Sequence, residues 1–171
     1  SLGEVLQLAD TMLLMDQGKI ITSGPIQEVL IHPNLRKYLG QTLIGTVLDT
    51  TVVRQDEKFQ LTVLKFNNHT LYVPHRSVSP GKQLRIHIRA DDVILAVEPM
   101  EELTSVLNVL PAQIIDVRDS YEDGCKVDVT LDIGCPLLAS ITRKSLINLN
   151  LKPGNNIFAH IKAIRMANEV D

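Results

Sequence analysis

Two cations, Arg89 and Lys162, stand at the same place in two copies of one short sequence pattern. Residues 80–90 are PGKQLRIHIRA and residues 153–163 are PGNNIFAHIKA, so each copy has a Pro-Gly turn, an alternating strand, a cation and an alanine. Arginine and lysine supply positive charge and N–H donors, which are the groups that bind anions. The shared spacing indicates a duplicated β module, in which the key strand of each copy ends in a cation and a small residue.

The strand of the first copy has a basic face. Side chains alternate along a strand, so Arg85, His87 and Arg89 share one side of it. This face could bind an anion or an acidic partner, although a solvated outer face is the favoured interpretation. His87 and His160 are equivalent, which argues against metal binding by either alone, and no His/Cys cluster has ligand spacing. No Ser-His-Asp order or pair of carboxylates indicates a catalytic site.

Composition excludes several classes of protein. The chain has 171 residues, a net charge of −3, no Trp, three Tyr and three Phe, which disfavours a nucleic-acid binder. Cys125 and Cys135 are too few for a disulfide framework, and free thiols in a reducing compartment are favoured. No apolar run reaches the roughly 18 residues of a membrane span, and no signal-peptide pattern opens the chain.

The repeated pattern predicts two tandem modules, residues 41–98 and residues 105–171, joined by a short acidic hinge. Each module has alternating or β-branched runs that suit five short strands, and such modules are typical of a partly open OB-like barrel. Residues 93–97 are predicted to close the first barrel. The predicted fold is mainly β: two tandem OB-like small β-barrel modules behind a short α/β leader.

The second module is longer than the first. Leu48 matches Ile115, 67 residues later, whereas Pro80 matches Pro153, 73 residues later. The second copy therefore has about six added residues between these two points. They fit best in residues 142–149, where one or two helical turns are predicted with Thr142 as the N-cap. Hairpin turns are predicted at residues 67–68 and at residues 122–124.

The leader, residues 1–40, has a different pattern. Its predicted elements are a helix near residues 2–8, a buried strand over 12–15, a return strand from 20, a helix from Pro25 and a helical stretch from Pro33 to Gly40.

This order of elements carries a family resemblance. The leader sequence SLGEVLQLADTMLLMDQGKIITSGPIQEVLIHP resembles the end of an ABC-transporter ATPase domain. In that family the switch histidine that senses the γ-phosphate would lie just before Ser1. The phosphate-binding loop, the acidic magnesium-and-base strand and the signature loop are absent from these residues. The resemblance implies an ATP-hydrolysing full-length protein, whereas this chain alone is expected to be inactive and not to use ATP. Whether the leader is a remnant or packs on the modules stays open.

The second module resembles the molybdate-binding OB-like (TOBE) domain of molybdate transport and storage proteins. The resemblance rests on TSVLNVLPAQIID, VDVTLDIG and LASITRKSLINLNLKPGNNIFAHIKA. Together with the leader, it points to the C-terminal part of the ATP-binding subunit of a molybdate importer. It implies a domain that binds molybdate or tungstate, senses cytoplasmic oxyanion and restrains transport. It also implies a homodimer through the ATPase and C-terminal modules, a membrane permease as partner and no nucleic-acid partner. The whole protein would lie on the cytoplasmic face of the inner membrane as a peripheral protein, and this fragment is expected to be soluble.

The family motif implies where the oxyanion would bind. The motif is Ser-x-Arg-Asn at the module start, matched by Ser105 and Asn108, and a lysine after the Pro-Gly strand, matched by Lys162. Leu107 stands at the arginine position, and Ile164 stands where small hydroxyl residues are common. A buried dianion needs several fixed donors, so loss of the guanidinium is expected to weaken binding about 10- to 100-fold.

The remaining donors of the expected site come from neighbours of the motif. Thr104 and Ala163 flank the matched residues, and Arg89, the repeat counterpart of Lys162, could add a cation from the first module. That would place the anion between the modules. Ser105 as a turn residue and Lys162 as a solvated lysine stay open. The alternative function is a ligand-free structural or dimerisation domain of the same ATPase subunit, which Leu107 favours.

Overall fold

The computed structural model describes residues 2–39, 44–120 and 124–167, which form three β-sheets. One is a two-stranded hairpin of the leader, and the other two have five strands each. Within these ranges no helix is both long and apolar enough to cross a membrane. The predicted turn at Glu122-Asp123 and the predicted helix end at Gly40 lie outside the described residues.

The leader folds in the predicted order of elements. They are α1 (Leu2–Leu8), β1 (Thr11–Asp16), β2 (Lys19–Pro25), α2 (Ile26–Leu30), a 3-10 turn (Pro33–Leu35) and α3 (Arg36–Leu39). The prediction of a buried strand is correct for one face only, since Leu14 is 9% exposed whereas Leu13 and Met15 are 52% and 56% exposed. The reason is that strand side chains alternate, and only one face of this hairpin packs on the leader core.

The two repeats fold into ten strands across the described residues. The first supplies β3 (Gly45–Asp56), β4 (Leu61–Phe66), β5 (His69–Pro74), β6 (Gln83–Arg89) and, after a 3-10 turn (Ala90–Asp92), β7 (Val93–Ala96). The second supplies β8 (Asn108–Asp119), β9 (Lys126–Asp132), β10 (Pro136–Thr142), α4 (Arg143–Asn148), β11 (Asn156–Ile161) and β12 (Arg165–Met166). The sheet orders are β12-β6-β3-β4-β5 and β10-β9-β8-β11-β7.

Each repeat contributes its last strand to the sheet of the other. β7 pairs antiparallel with β11, where Val93 lies opposite Ile161. β12 pairs antiparallel with β6, where Arg165 lies opposite His87. The prediction that residues 93–97 close the first barrel is therefore wrong, because they close the second. An alternating pattern identifies a strand and its buried face but does not identify its partner.

The two five-stranded sheets share one hydrophobic core. Leu48, Leu64 and Ile86 of the first sheet and Leu110 and Leu131 of the second belong to one contiguous cluster. All five side chains are at most 2% exposed. The predicted mainly β, OB-like class is confirmed, while the domain limits at residues 41–98 and 105–171 stay a prediction.

The register between the repeats differs from the predicted one. Leu48 lies opposite Ile86 in the β3–β6 pair, and Leu110 lies opposite Ala159 in the β8–β11 pair. Since Ile86 and Ala159 occupy the same place in the repeated strand, the counterpart of Leu48 is Leu110 rather than Ile115. The predicted match is therefore wrong, because both candidates lie in one strand and only the pairing distinguishes them.

The added residues of the second repeat fall in two places. One is the longer connection between β8 and β9, and the other is α4 after β10. The Thr142 hydroxyl oxygen accepts the Ser145 N–H at 3.1 Å, so the predicted N-cap of this helix is confirmed.

The leader covers the basic face of β6. The Arg85 guanidinium donates to Ala9 O at 2.8 Å, to Asp10 Oδ1 at 3.0 Å and to Asp49 Oδ1 at 2.6 Å. The hydrogen bond to Asp49 raises the pKa of Arg85, whereas burial acts in the opposite direction. His87 on the same face is fully buried. The predicted solvated face is therefore wrong, because the Ala9 carbonyl and the Asp10 carboxylate, which follow α1, bind Arg85 and hold the leader on the first sheet.

Both cysteines flank β9, and neither forms a disulfide within the part of the chain that the structure describes. Burial raises the pKa of Cys135 to about 11, and the charge of Asp132 acts in the same direction. A thiol that stays protonated is a poor nucleophile. We expect iodoacetamide to modify the exposed Cys125 first, and the Cys135 rate to rise about tenfold per pH unit below its pKa. Mass spectrometry of timed samples of Cys125→Ser and Cys135→Ser measures both rates. A Cys135 rate independent of pH would contradict this expectation.

Candidate functional site

A pocket of about 290 Å³ lies between the two repeats, where β8 begins and β11 ends. Ser105, Asn108, Lys162 and Ala163 line it, so the structure brings together four of the predicted residues. The facing wall belongs to the first repeat and consists of Leu61, Tyr72, Val73 and Pro74. We call this cavity the Lys162 pocket.

Antiparallel pairing explains why these four residues meet. Asn108 at the start of β8 lies opposite Ile161 at the end of β11, so the segments before and after these strands leave the sheet at one edge. The Pro-Gly turn fixes this register. Gly154 has a φ of +91°, which glycine adopts without strain, and its N–H donates to Ile114 O at 2.7 Å.

Asn108 connects the repeats. It is 7% exposed. Its Oδ1 accepts the Tyr72 N–H at 2.7 Å, and its Nδ2 donates to Tyr72 O at 2.9 Å. The amide thus pairs with the edge strand β5 as a neighbouring strand would. An amide group has two N–H bonds, so the Asn108 side chain carries a second donor beside the one that binds Tyr72 O.

Lys162 supplies the charge of the pocket. Its backbone N–H donates to Asp92 O at 2.8 Å, which fixes its Cα at the pocket wall. It is the one charged side chain among the described residues that line the pocket. Leu61, Val73, Pro74 and Ile164 make much of the remaining wall apolar. Lys162 itself is exposed, so water screens the attraction between its ammonium and an anion, and the neighbouring donors of the pocket are needed as well.

Two of the predicted residues lie outside the lining of the Lys162 pocket. The Thr104 hydroxyl oxygen accepts the Val106 N–H at 3.3 Å, so it shapes the segment that enters β8. Arg89 ends β6, where its Nε lies 3.9 Å from Asp92 Oδ2. The same carboxylate oxygen lies 4.0 Å from the Arg165 guanidinium. Arg89 is thus held at the corresponding edge of the first repeat rather than at this pocket.

The corresponding surface of the first repeat is covered by the leader. Thr46, the counterpart of Asn108, accepts the Leu138 N–H at 3.0 Å, so the same connection exists on both sides. Ala90 and Leu138 are the counterparts of Ala163 and Tyr72. The second hydrophobic cluster joins them to the leader and consists of Leu6, Leu14, Ile26, Val29, Leu30, Leu35, Ile44, Val47, Ala90, Leu138 and Ala167. The leader therefore occupies on one side the place that is open on the other.

Tyr72, Val73 and Pro74 are site residues that the sequence did not indicate. They end β5, which belongs to the other sheet, and they reach the pocket only because Asn108 binds the edge of that strand. The repeat could have revealed them only together with the crossed pairing of the modules.

A larger pocket of about 890 Å³ lies elsewhere, lined by the amides of Asn67, Asn68, Gln113 and Asn156 and by Asp132. Its described lining contains no lysine or arginine, and the Asp132 carboxylate would repel an anion. Its chemistry does not suit an oxyanion, so the Lys162 pocket is the better candidate.

Comparison with known proteins agrees with the resemblance inferred from the sequence. Residues 104–167 match the family described as "TOBE domain". The chain is 38% identical to the molybdenum import ATP-binding protein ModC of Paramagnetospirillum magneticum, over 98% of this chain and 46% of that protein. It is 35% identical to ModC 1 of Azotobacter vinelandii, over 95% of this chain and 45% of that protein. The chain thus spans less than half the length of the curated relatives it matches.

A solved structure shares the fold. It is that of the cytoplasmic molybdate-binding protein ModG with molybdate bound, with a TM-score of 0.60 over 71% of this chain and 95% of that chain. At 20% sequence identity, this likeness supports the fold alone. Residues 104–167 therefore resemble a TOBE domain, and the chain resembles the ATP-binding subunits of molybdenum importers along nearly its whole length, as predicted from the sequence.

Proposed function

We propose that this chain is a regulatory oxyanion-binding part of the ATPase subunit of a molybdate importer, and that it binds molybdate or tungstate in the Lys162 pocket. The observation that carries the proposal is the meeting of Ser105, Asn108 and Lys162 in one pocket between the repeats. The molybdenum importers among its relatives supply the ligand class.

The pocket offers complementary donors for a tetrahedral dianion. An anion loses hydration on entry and needs N–H or O–H groups in return. The donors in the pocket lining are the Lys162 ammonium, the Ser105 hydroxyl and the second amide N–H of Asn108. Leu107 adds no donor, so we expect weaker binding than with a guanidinium at that place.

The regulatory part of the proposal rests on a short route from the pocket to the leader. The Lys162 N–H binds the carbonyl of Asp92 in the turn Ala90–Asp92, and Ala90 packs against the leader. An anion at Lys162 therefore lies one turn away from the leader, which resembles the end of an ATPase domain. In the whole protein we propose an ATP-binding homodimer on the cytoplasmic face of the membrane, with a membrane permease that oxyanion binding restrains.

A ligand-free structural or dimerisation domain is the second candidate. Leu107 is 62% exposed, and Phe59 and Leu103 add exposed apolar surface at 64% and 78%. Such surface favours contact with another protein. This candidate predicts that oxyanions leave the stability of the chain unchanged.

Thermal unfolding with and without tungstate distinguishes the two candidates. A ligand of the folded state adds about 2.7 kcal/mol at a hundredfold excess over its dissociation constant. We expect stabilisation by tungstate and molybdate, and Lys162→Ala should weaken binding about 10- to 100-fold, since it removes a charge-assisted bond.

The matched control is Lys152→Ala, which removes an exposed lysine of the same repeat outside the pocket lining. Sulfate tests whether any tetrahedral dianion is sufficient. No shift at millimolar tungstate would contradict the proposed function. A full shift in Lys162→Ala would contradict the site alone.

A further inference from the structure

A second cavity of about 510 Å³ adjoins the Lys162 pocket and shares Leu61, Tyr72 and Leu107 with it. Its other lining residues are Arg54, Asp56 and Phe59 of the first repeat. We call it the Arg54 cavity. Arg54 belongs to the repeat that faces Lys162 and lines this adjoining cavity rather than the Lys162 pocket itself.

A β-bulge places Arg54 beside this cavity. Val52 lies opposite Leu64 and Arg54 lies opposite Val63, so one extra residue is accommodated in β3. Val63 in turn lies opposite Tyr72 in β5. Side chains opposite one another on neighbouring strands share a face, so Arg54 and Tyr72 belong to the same row of the sheet. Without the bulge, Arg54 would lie on the other face.

Arg54 forms an ion pair with Asp56 that an anionic ligand could replace. Its Nη1 lies 3.3 Å from Asp56 Oδ2, and the Arg54 side chain is 56% exposed. The Asp56 side chain is only 18% exposed, but water competes for the exposed guanidinium and so weakens the pair. A dianion in the adjoining pocket would compete with the single charge of Asp56 for the same guanidinium.

The second repeat has the reverse arrangement. Its β8 has a bulge at the same place, between Ile114 and Asp116. Asp116 is therefore the counterpart of Arg54, and Arg118, with which it forms an ion pair, is the counterpart of Asp56. The position directly after the bulge thus holds a cation on the side where the pocket is open. On the side that the leader covers, a carboxylate takes that place.

We propose that Arg54 is a second oxyanion-binding cation, which exchanges its bond to Asp56 for one to the anion in the Lys162 pocket. This inference rests on the proposed function and names a further residue of the same site. One lysine leaves a dianion with net negative charge in a largely apolar pocket, and a guanidinium adds charge and a planar pair of N–H donors. Leu107 borders both cavities but supplies neither a charge nor an N–H donor from its side chain. The second cation therefore comes from the facing repeat.

Isothermal titration of the whole chain with sodium tungstate tests the proposal. Arg54→Ala is expected to weaken binding about tenfold or more, and Arg54→Lys less, because the charge stays while the fork is lost. Asp56→Asn is expected to tighten binding about three- to tenfold, since it removes a competing charge. This substitution keeps the oxygen that accepts the Phe59 N–H at 3.2 Å. Arg118→Ala, at the covered side, is the matched control and should bind as the unchanged chain does.

The variant Arg54→Ala/Asp56→Asn separates direct binding from a general charge effect. If Arg54 binds the anion, Asp56→Asn tightens binding much less when Arg54 is absent. Equal tightening in both backgrounds, or an Arg54→Ala affinity within about twofold of the unchanged chain, would overturn the inference while leaving the proposed function intact. Absence of tungstate binding by the unchanged chain would overturn both. Thermal midpoints without ligand verify that each variant is folded.

Discussion

Replacing Leu131 by alanine is expected to destabilise both five-stranded sheets together, by about 2–5 kcal/mol. Leu131 lies in β9 of the second sheet and is fully buried. The core cluster that contains it extends through both repeats. The cost comes from lost apolar burial and from the cavity that remains. Because β7 and β12 cross between the sheets, neither sheet can unfold and leave the other complete.

Native-state amide exchange measures this expectation. Protection in β4 of the first sheet and in β9 of the second should fall by the same free energy in Leu131→Ala. Leu64→Ala, at the corresponding buried place in β4, should have the same effect on both sheets. Ile147→Ala is the control, since this side chain is 70% exposed and its loss should cost less than about 0.5 kcal/mol. Loss of protection confined to the second sheet would show independent modules instead.

The strands could be predicted from the sequence because their signals are local. Val127, Val129 and Leu131 alternate with polar residues in β9, and the structure buries all three. The partner of a strand is not a local property. Residues Val93–Ala96 alternate between buried and more exposed side chains in β7, as they would in either sheet. Only the packing of the complete chain decides that β7 joins β11.

The same limit explains which part of the site could be predicted. Ser105, Asn108 and Lys162 lie at the ends of two strands that the repeated pattern already implied, and the pocket brings them together. Tyr72 belongs to the facing sheet, and its place depends on crossed strands. Arg85 was expected to face solvent, because its partners at Ala9 and Asp10 lie in the leader, far away in the sequence.

The crossed fold also explains why one open pocket remains in a duplicated chain. Asn108 and Thr46 make equivalent connections to Tyr72 and Leu138, so the duplication formed two similar clefts between the repeats. The leader packs into the cleft at Leu138 through its apolar residues. The cleft at Tyr72 is the Lys162 pocket, and its described lining contains no leader residue. Under the proposed function, one chain should therefore bind one oxyanion. The leader occupies the other of the two similar clefts, at Leu138.

Replacing Asn108 by alanine is expected to lower the free energy of unfolding by about 2–4 kcal/mol and to abolish most oxyanion binding. The substitution removes the two hydrogen bonds to the Tyr72 backbone and leaves that N–H and that carbonyl without their partners. It also frees the edge of β5 that forms one wall of the Lys162 pocket. Urea unfolding measures the stability, and titration with tungstate measures the binding.

Thr46→Val is the matched comparison, because it removes the equivalent connection on the side that the leader covers. Valine has nearly the shape of threonine, and one hydrogen bond to the Leu138 N–H is lost, so the expected cost is about 1–2 kcal/mol. Tungstate affinity should stay unchanged in Thr46→Val, since the Lys162 pocket is intact. An Asn108→Ala chain as stable as the unchanged one would show that Asn108 does not hold the repeats together. Equal loss of tungstate affinity in both variants would show that the two clefts do not act separately.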